Sequence, residues 1–85
     1  MQELRIIGLL ITDRLKEAGQ TQQVLTNHAN VITSRLGFHE VDEKVCSRIG
    51  MMLLQLRGNT EECDKLESAL REIGGIEVQK MSFQY

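Results

Sequence analysis

Proline and tryptophan are absent from this chain, and Tyr85, Phe38 and Phe83 are its only aromatic residues. Without proline or a Ser/Gly-rich tract nothing marks a linker, so the 85 residues read as one domain spanning 1–85. So few aromatics leave no platform on which bases could stack. No basic run is present either. Ten Lys and Arg lie scattered among twelve acids for a net charge of −2, which argues against a broad phosphate-binding surface and direct nucleic-acid binding. Two cysteines, Cys46 and Cys63, do not make a disulfide framework. The apolar stretch from Leu4 to Ile11 is far too short to span a bilayer, so no membrane association is expected. No secretory leader is read ahead of the first strand, and the expected compartment is a reducing cytoplasm.

What the chain does have is two strands that are apolar on both faces. In Leu4–Thr12 one parity holds Leu4, Ile6, Gly8 and Leu10, and the other holds Arg5, Ile7, Leu9 and Ile11. In Ile49–Leu56 one parity holds Met52, Leu54 and Leu56, and the other Ile49, Met51 and Leu53. Successive side chains on a strand point to opposite faces, so both faces around these strands need cover.

Between and after them the signals are more conventional. Asp13 offers an N-cap, and Arg14 to Asn30 read as a helix with Leu15, Ala18, Leu25 and Ala29 near one stripe, interrupted by Gly19 and Gln22. Val31–Leu36 reads as a β-branched strand ended by Gly37. Phe38–Ser47 has no clear period and reads as a connection containing a hairpin-like excursion. After Gly58, Asn59 with Glu62 three residues on forms a capping-box pattern. Cys63, Leu66, Leu70 and Ile73 then mark the apolar stripe of a second helix, which Gly74-Gly75 stops. A last strand starts at Ile76, and its apolar phase changes after Val78: Ile76 and Val78 share one parity, Met81, Phe83 and Tyr85 the other. Either a bulge near Lys80 re-aims this strand, or the tail leaves its sheet for a partner.

The order β-α-β-β-α-β, with right-handed crossovers, predicts an α+β ferredoxin-like sandwich: a four-stranded antiparallel sheet with two helices on one face. The two-faced strands, first and third in the chain, become its centre. One parity of each is then covered by helices and the other is bare. The candidates for the bare side are Ile7, Leu9 and Ile11 with Ile49, Met51 and Leu53, or the opposite parities. Such a patch reaches several hundred Å², roughly the largest a soluble monomer exposes. The expected cover is a second copy, as a homodimer or homotetramer through the sheet face or edge, with a hydrophobic ligand as the alternative occupant.

Chemistry-bearing residues are sparse. His28, His39, Cys46 and Cys63 lack metal-ligand spacing, and Cys63 fits the buried stripe of the second helix, so no metal site is expected. Asp13-Arg14 sits at a helix N-terminus that favours anions, though an N-cap with a solvated neighbour explains it as well. Glu61, Glu62 and Asp64 read as a dipole-stabilising first turn. No nucleophile elbow, phosphate-cradling glycine loop or H-E-x-x-H motif is present, so no catalytic residue is assigned and no enzyme is expected.

Across nearly its whole length the chain resembles a small family of bacterial proteins described as regulators of the iron-only hydrogenase system. The resemblance lies in the two-faced first strand running into Thr12-Asp13-Arg14, in Ile32-Thr33-Ser34-Arg35-Leu36-Gly37-Phe38, in Ile49–Leu56, and in Leu70-Arg71-Glu72-Ile73-Gly74-Gly75-Ile76-Glu77-Val78. Such proteins resemble the ACT domain and the ligand domain of nickel-responsive repressors, which share the ferredoxin-like fold and assemble through their sheets. The Asp-Arg of the ACT amino-acid turn is matched by Asp13-Arg14, but Leu15-Lys16 stand where that turn has Pro-Gly. The histidine pair of the nickel repressors is reduced to His39. The resemblance therefore implies a non-enzymatic, cofactor-free, ACT-like regulatory module that acts as a homo-oligomer and has another regulatory protein as a candidate partner. The alternative it implies is a small-molecule or metal sensor with a site at the subunit interface near Asp13, Arg14 and Gly37.

Overall fold

In the computed structural model the backbone is described for residues 2–12, 14–41 and 46–85, and the side chains for 2–12, 19–37 and 50–85. The element order is β1 (Glu3–Ile11), α1 (Arg14–Asn27), a 3-10 turn (Ala29–Val31), β2 (Ile32–Val41), β3 (Cys46–Gly58), α2 (Thr60–Arg71) and β4 (Ile76–Gln84). All pairings are antiparallel and the strand order is β2-β3-β1-β4, so the two apolar strands are central, as their composition demands. This is the ferredoxin-like α+β fold. Both helices lie over one side of the sheet, where Leu25 of α1 and Cys63, Leu66 and Leu70 of α2 join Ile7, Leu9, Leu54 and Leu56 in one core.

Helix α2 follows its sequence signals closely. The Asn59 side chain accepts a hydrogen bond from the Glu61 N–H at 2.8 Å, which satisfies one of the free donors of the first turn. The reciprocal half of the capping box is replaced, because the Glu62 carboxylate pairs with Lys65 at 3.2 Å. Cys63, Leu66, Leu70 and Ile73 are all buried. Gly75, at φ 79, makes the left-handed turn into β4, and Gly58, at φ 133, turns the chain from β3 into α2.

Three expectations are corrected. Helix α1 ends at Asn27 rather than Asn30, and the chain tightens into the 3-10 turn that buries Val31, so the strand starts one residue later. Strand β2 does not stop at Gly37 but runs to Val41, because β3 pairs with it past the glycine: Gly37 pairs with Met52 and, beyond a register shift after His39, Val41 with Cys46. A glycine without a turn geometry does not end a strand whose ladder is satisfied. The connecting residues 42–45 lie outside the described residues. Finally, β4 neither bulges at Lys80 nor leaves the sheet. It pairs with β1 in unbroken register from Ile11↔Ile76 to Glu3↔Gln84 and closes with Gln2–Tyr85 backbone hydrogen bonds in both directions. The phase change is real in the sequence. Its cause lies in what each half of β4 faces.

Candidate functional site: two unlike faces of one sheet

The register decides which parity faces the helices. Ile7 pairs with Leu54 and Leu9 with Met52; Ile7, Leu9 and Leu54 are fully buried. Ile7, Leu9 and Ile11 are therefore core residues and do not belong to the bare face. The parity that turns outward on β1 is Leu4, Ile6, Gly8 and Leu10. Met51 and Leu53 do face outward, 42% and 38% exposed, while the side chain of Ile49 lies outside the described residues. The physical reason is the helices. They bury one face only, and Leu54 and Leu56 share that face with Arg5, Ile7 and Leu9.

The outward face is apolar beyond the two central strands. Leu36 on β2 stands opposite Leu53 and is 60% exposed. On β4, Met81, Phe83 and Tyr85 are each more than half exposed, with Met81 opposite Ile6 and Phe83 opposite Leu4. The second half of β4 thus places its apolar side chains on the open face and Lys80 and Ser82 toward the helices. Between β2 and β3 a shallow hollow of about 320 Å³ is bordered by Ile6, Ser34, Leu36, Leu53 and Gln55. It lies beside a register shift between Ile32 and Ser34, where the Thr33 hydroxyl donates to the Gln55 carbonyl at 3.1 Å. Polar groups sit at the rim: Arg57 lies over the Tyr85 ring at 6.0 Å, and Gln79 donates to Glu77 at 3.0 Å.

On the helix side, Lys80 and Ser82 meet an ion cluster with a buried centre, Arg5, Glu3 and Glu67, and an exposed rim, Asp64, Arg71 and Lys80. Arg5, 3% exposed, donates twice to Glu3, at 3.0 and 2.9 Å, and once to Glu67 at 2.9 Å; its guanidinium also pairs with Asp64 at 2.8 Å. Glu67 accepts from Arg71 at 3.0 Å and pairs with Lys80 at 3.4 Å, and the Ser82 hydroxyl donates to Glu3. Three carboxylates (Glu3, Asp64, Glu67) face three cations (Arg5, Arg71, Lys80), so the cluster is neutral. One signal for it is in the sequence, a lone arginine on the apolar parity of β1; Glu67 reads with Glu61, Asp64, Lys65 and Arg71 as part of the charged side of α2, and the structure corrects this by burying it.

The charges shift as this geometry requires. Hydrogen bonds from Arg5 and Ser82, set against burial, hold the Glu3 carboxyl below its ordinary value of 4.5. Burial opposes the charge on Arg5, but its bonds to Glu3 and Asp64 outweigh that and raise its pKa. Burial pushes the Cys63 thiol up, which keeps this 1% exposed group protonated and unreactive. A carboxyl with a lowered folded pKa adds stability above its unfolded pKa and loses it as pH falls through the folded value. Stability of the wild type against urea is therefore expected to fall as pH drops below about 4.5. Glu3→Gln is expected to be less stable at pH 7 and to show a flatter acid limb. Parallel curves for the two proteins would show that Glu3 is not the titrating group.

The ligand candidates are not assembled by the described residues. Gly37 lies on β2 opposite Met52, where an added Cβ would sit 3.9 Å from the Met52 methyl, an ordinary contact. Arg14 begins α1 with its side chain outside the described residues, and Asp13 lies outside them altogether. The neighbouring Thr12 ties the end of β1 to the Gly75 carbonyl through its N–H at 3.0 Å and its hydroxyl at 2.9 Å. Among the described residues no three His, Cys, Asp or Glu side chains are grouped to hold a metal, and no helix is long and apolar enough to cross a membrane.

No family model matches the chain, and no curated protein shows significant similarity to it. Solved structures do. The uncharacterized protein TM1266 from Thermotoga maritima superposes with a TM-score of 0.83 and 21% identity, over 99% of this chain and 100% of that one. An unknown protein from Galdieria sulphuraria gives 0.61 at 15% identity, with this chain covering 47% of its length. SnoaB, a cofactor-independent oxygenase from Streptomyces nogalater, gives 0.59 at 8% identity over 100% of this chain and 94% of that one. What they share is the fold. Identities this low carry no activity with them, and an oxygenase and uncharacterized proteins are built on the same frame.

Proposed function

We propose that the chain is a non-enzymatic, ACT-like interaction module that works as a homo-oligomer and regulates an iron-only hydrogenase system through another protein. The observation that carries the homo-oligomer is the open face, where six large apolar side chains from three strands are between 38% and 60% exposed. A face of this size and composition is rare on a soluble monomer and has the character of an interface. The regulatory role rests on the sequence resemblance described above. In support of the non-enzymatic role, among the described residues the helix side of the sheet is occupied by Ile7, Leu9, Leu54, Leu56, Leu66 and Leu70, all fully buried. The open face in turn has no titratable group at its centre among the described residues: Ile6, Gly8, Leu10, Met51, Leu53 and Gln55 lie there.

Light scattering at tens of micromolar tests the proposal: a dimer or larger closed oligomer is expected, and a monomer overturns it. A thermal-shift panel of amino acids, nucleotides and divalent metals separates an interaction module from a sensor with its site near Asp13, Arg14 and Gly37. A flat panel is expected. Saturable, stoichiometric stabilisation of several degrees by one compound would favour the sensor.

A further inference from the structure

The open face carries a ridge near one edge and a hollow toward the other. Its ridge, Met81 and Phe83, stands on the β4 edge, and its hollow lies between β2 and β3 toward the other edge. Ridge and hollow are level along the strands, because Met81 is opposite Ile6, Ile6 opposite Gln55 and Gln55 opposite Ser34. At mid-sheet, Leu53 is level with Gly8 and leans over it, its Cδ2 lying 3.6 Å from where a Cβ on Gly8 would be.

We infer that two copies stack open face to open face about a two-fold axis parallel to β1 and β3, each Met81 ridge seated over the Ser34–Gln55 hollow of the other. This arrangement rests on the homo-oligomer proposed above. Such an axis exchanges the two edges of the sheet and keeps the level of every residue, so β4 covers β2 and β1 covers β3 of the other copy. A two-fold axis across the strands does the reverse. It places β4 on β4 with levels inverted, so ridge meets ridge and misses the hollow, and inversion about the level of Gly8, Leu53 and Gln79 sets Met81 on Glu77, burying a carboxylate against a thioether. Four strands about 4.8 Å apart and nine residues rising about 3.3 Å each make a face of roughly 500 Å² per copy, enough for a total near the 1,000 Å² of a specific interface.

Thiol crosslinking tests the arrangement. In a Cys46→Ser background that keeps the buried Cys63, Ser34→Cys and Met81→Cys are made singly and together, and treated with a short bis-maleimide that spans the roughly 10 Å between stacked sheets. The double variant is expected to run mostly as a covalent dimer on denaturing gels, and the two single variants as monomers, since like positions lie about three strand spacings, ~14 Å, apart laterally. Crosslinking of Met81→Cys alone overturns the arrangement in favour of β4 meeting β4. No crosslink in any variant that light scattering reports as dimeric overturns it too and leaves the homo-oligomer standing. A monomer by scattering overturns both.

Discussion

Arg5→Met is expected to destabilise the fold by about 3–5 kcal/mol, because it removes the cation that holds Glu3 and Glu67 beneath α2. Glu3 is 5% exposed and keeps only hydroxyl partners, so its charge is left in a dry site. Glu67 fares better, since Arg71 and Lys80 still reach it. That difference makes the effect separable. The double variant Arg5→Met/Glu3→Leu removes both the stranded carboxylate and its lost partner, and a buried pair replaced by apolar groups is close to neutral. Urea unfolding at a fixed protein concentration is expected to place the double variant well above Arg5→Met alone, with a coupling of at least ~1 kcal/mol. If the two substitutions simply add, the cluster is not the unit its geometry implies. A loss of several kcal/mol is a large share of the roughly 5–15 kcal/mol that small domains possess.

The second large effect concerns two neighbours in sequence that point opposite ways. Leu53→Glu with Met81→Glu is expected to leave the fold intact and dissociate the oligomer, weakening association by at least ~1,000-fold, since four carboxylates per dimer lose water without partners. Leu54→Ala is expected to do the converse. Its side chain is fully buried against the helices, so truncation costs about 2–5 kcal/mol of folding stability while the open face is untouched. Light scattering reads the first and urea unfolding the second, with far-UV circular dichroism as the check that the Leu53/Met81 variant remains folded. An oligomer that survives both charged substitutions would show that the open face is not its contact.

The helix side and the open side differ in how legible they were. Helix α2 was readable almost residue by residue, because its cap at Asn59, its stripe from Cys63 to Ile73 and its stop at Gly75 are local signals. Strand β2 was not, since its course past Gly37 depends on a partner strand that begins at Cys46. The ion cluster was half legible. Arg5 broke an apolar pattern while Glu67 read as part of the charged side of α2, and their meeting joins residues 62 positions apart that neither segment alone could reveal. The tail of β4 reads as anomalous for the same reason: its helix-facing half changes from Ile76 and Val78 to Lys80 and Ser82 where the cluster replaces the apolar core.

By itself, the sequence determined the β-α-β-β-α-β order, the two central strands and the fact that both of their faces are apolar. Period-two alternation states that neighbouring side chains go to opposite sides, and nothing more. Which side is which was decided by tertiary structure alone. The helices have to bury one face of the sheet, and in settling over Ile7, Leu9, Leu54 and Leu56 they left Ile6, Leu10, Met51 and Leu53 to be covered from outside.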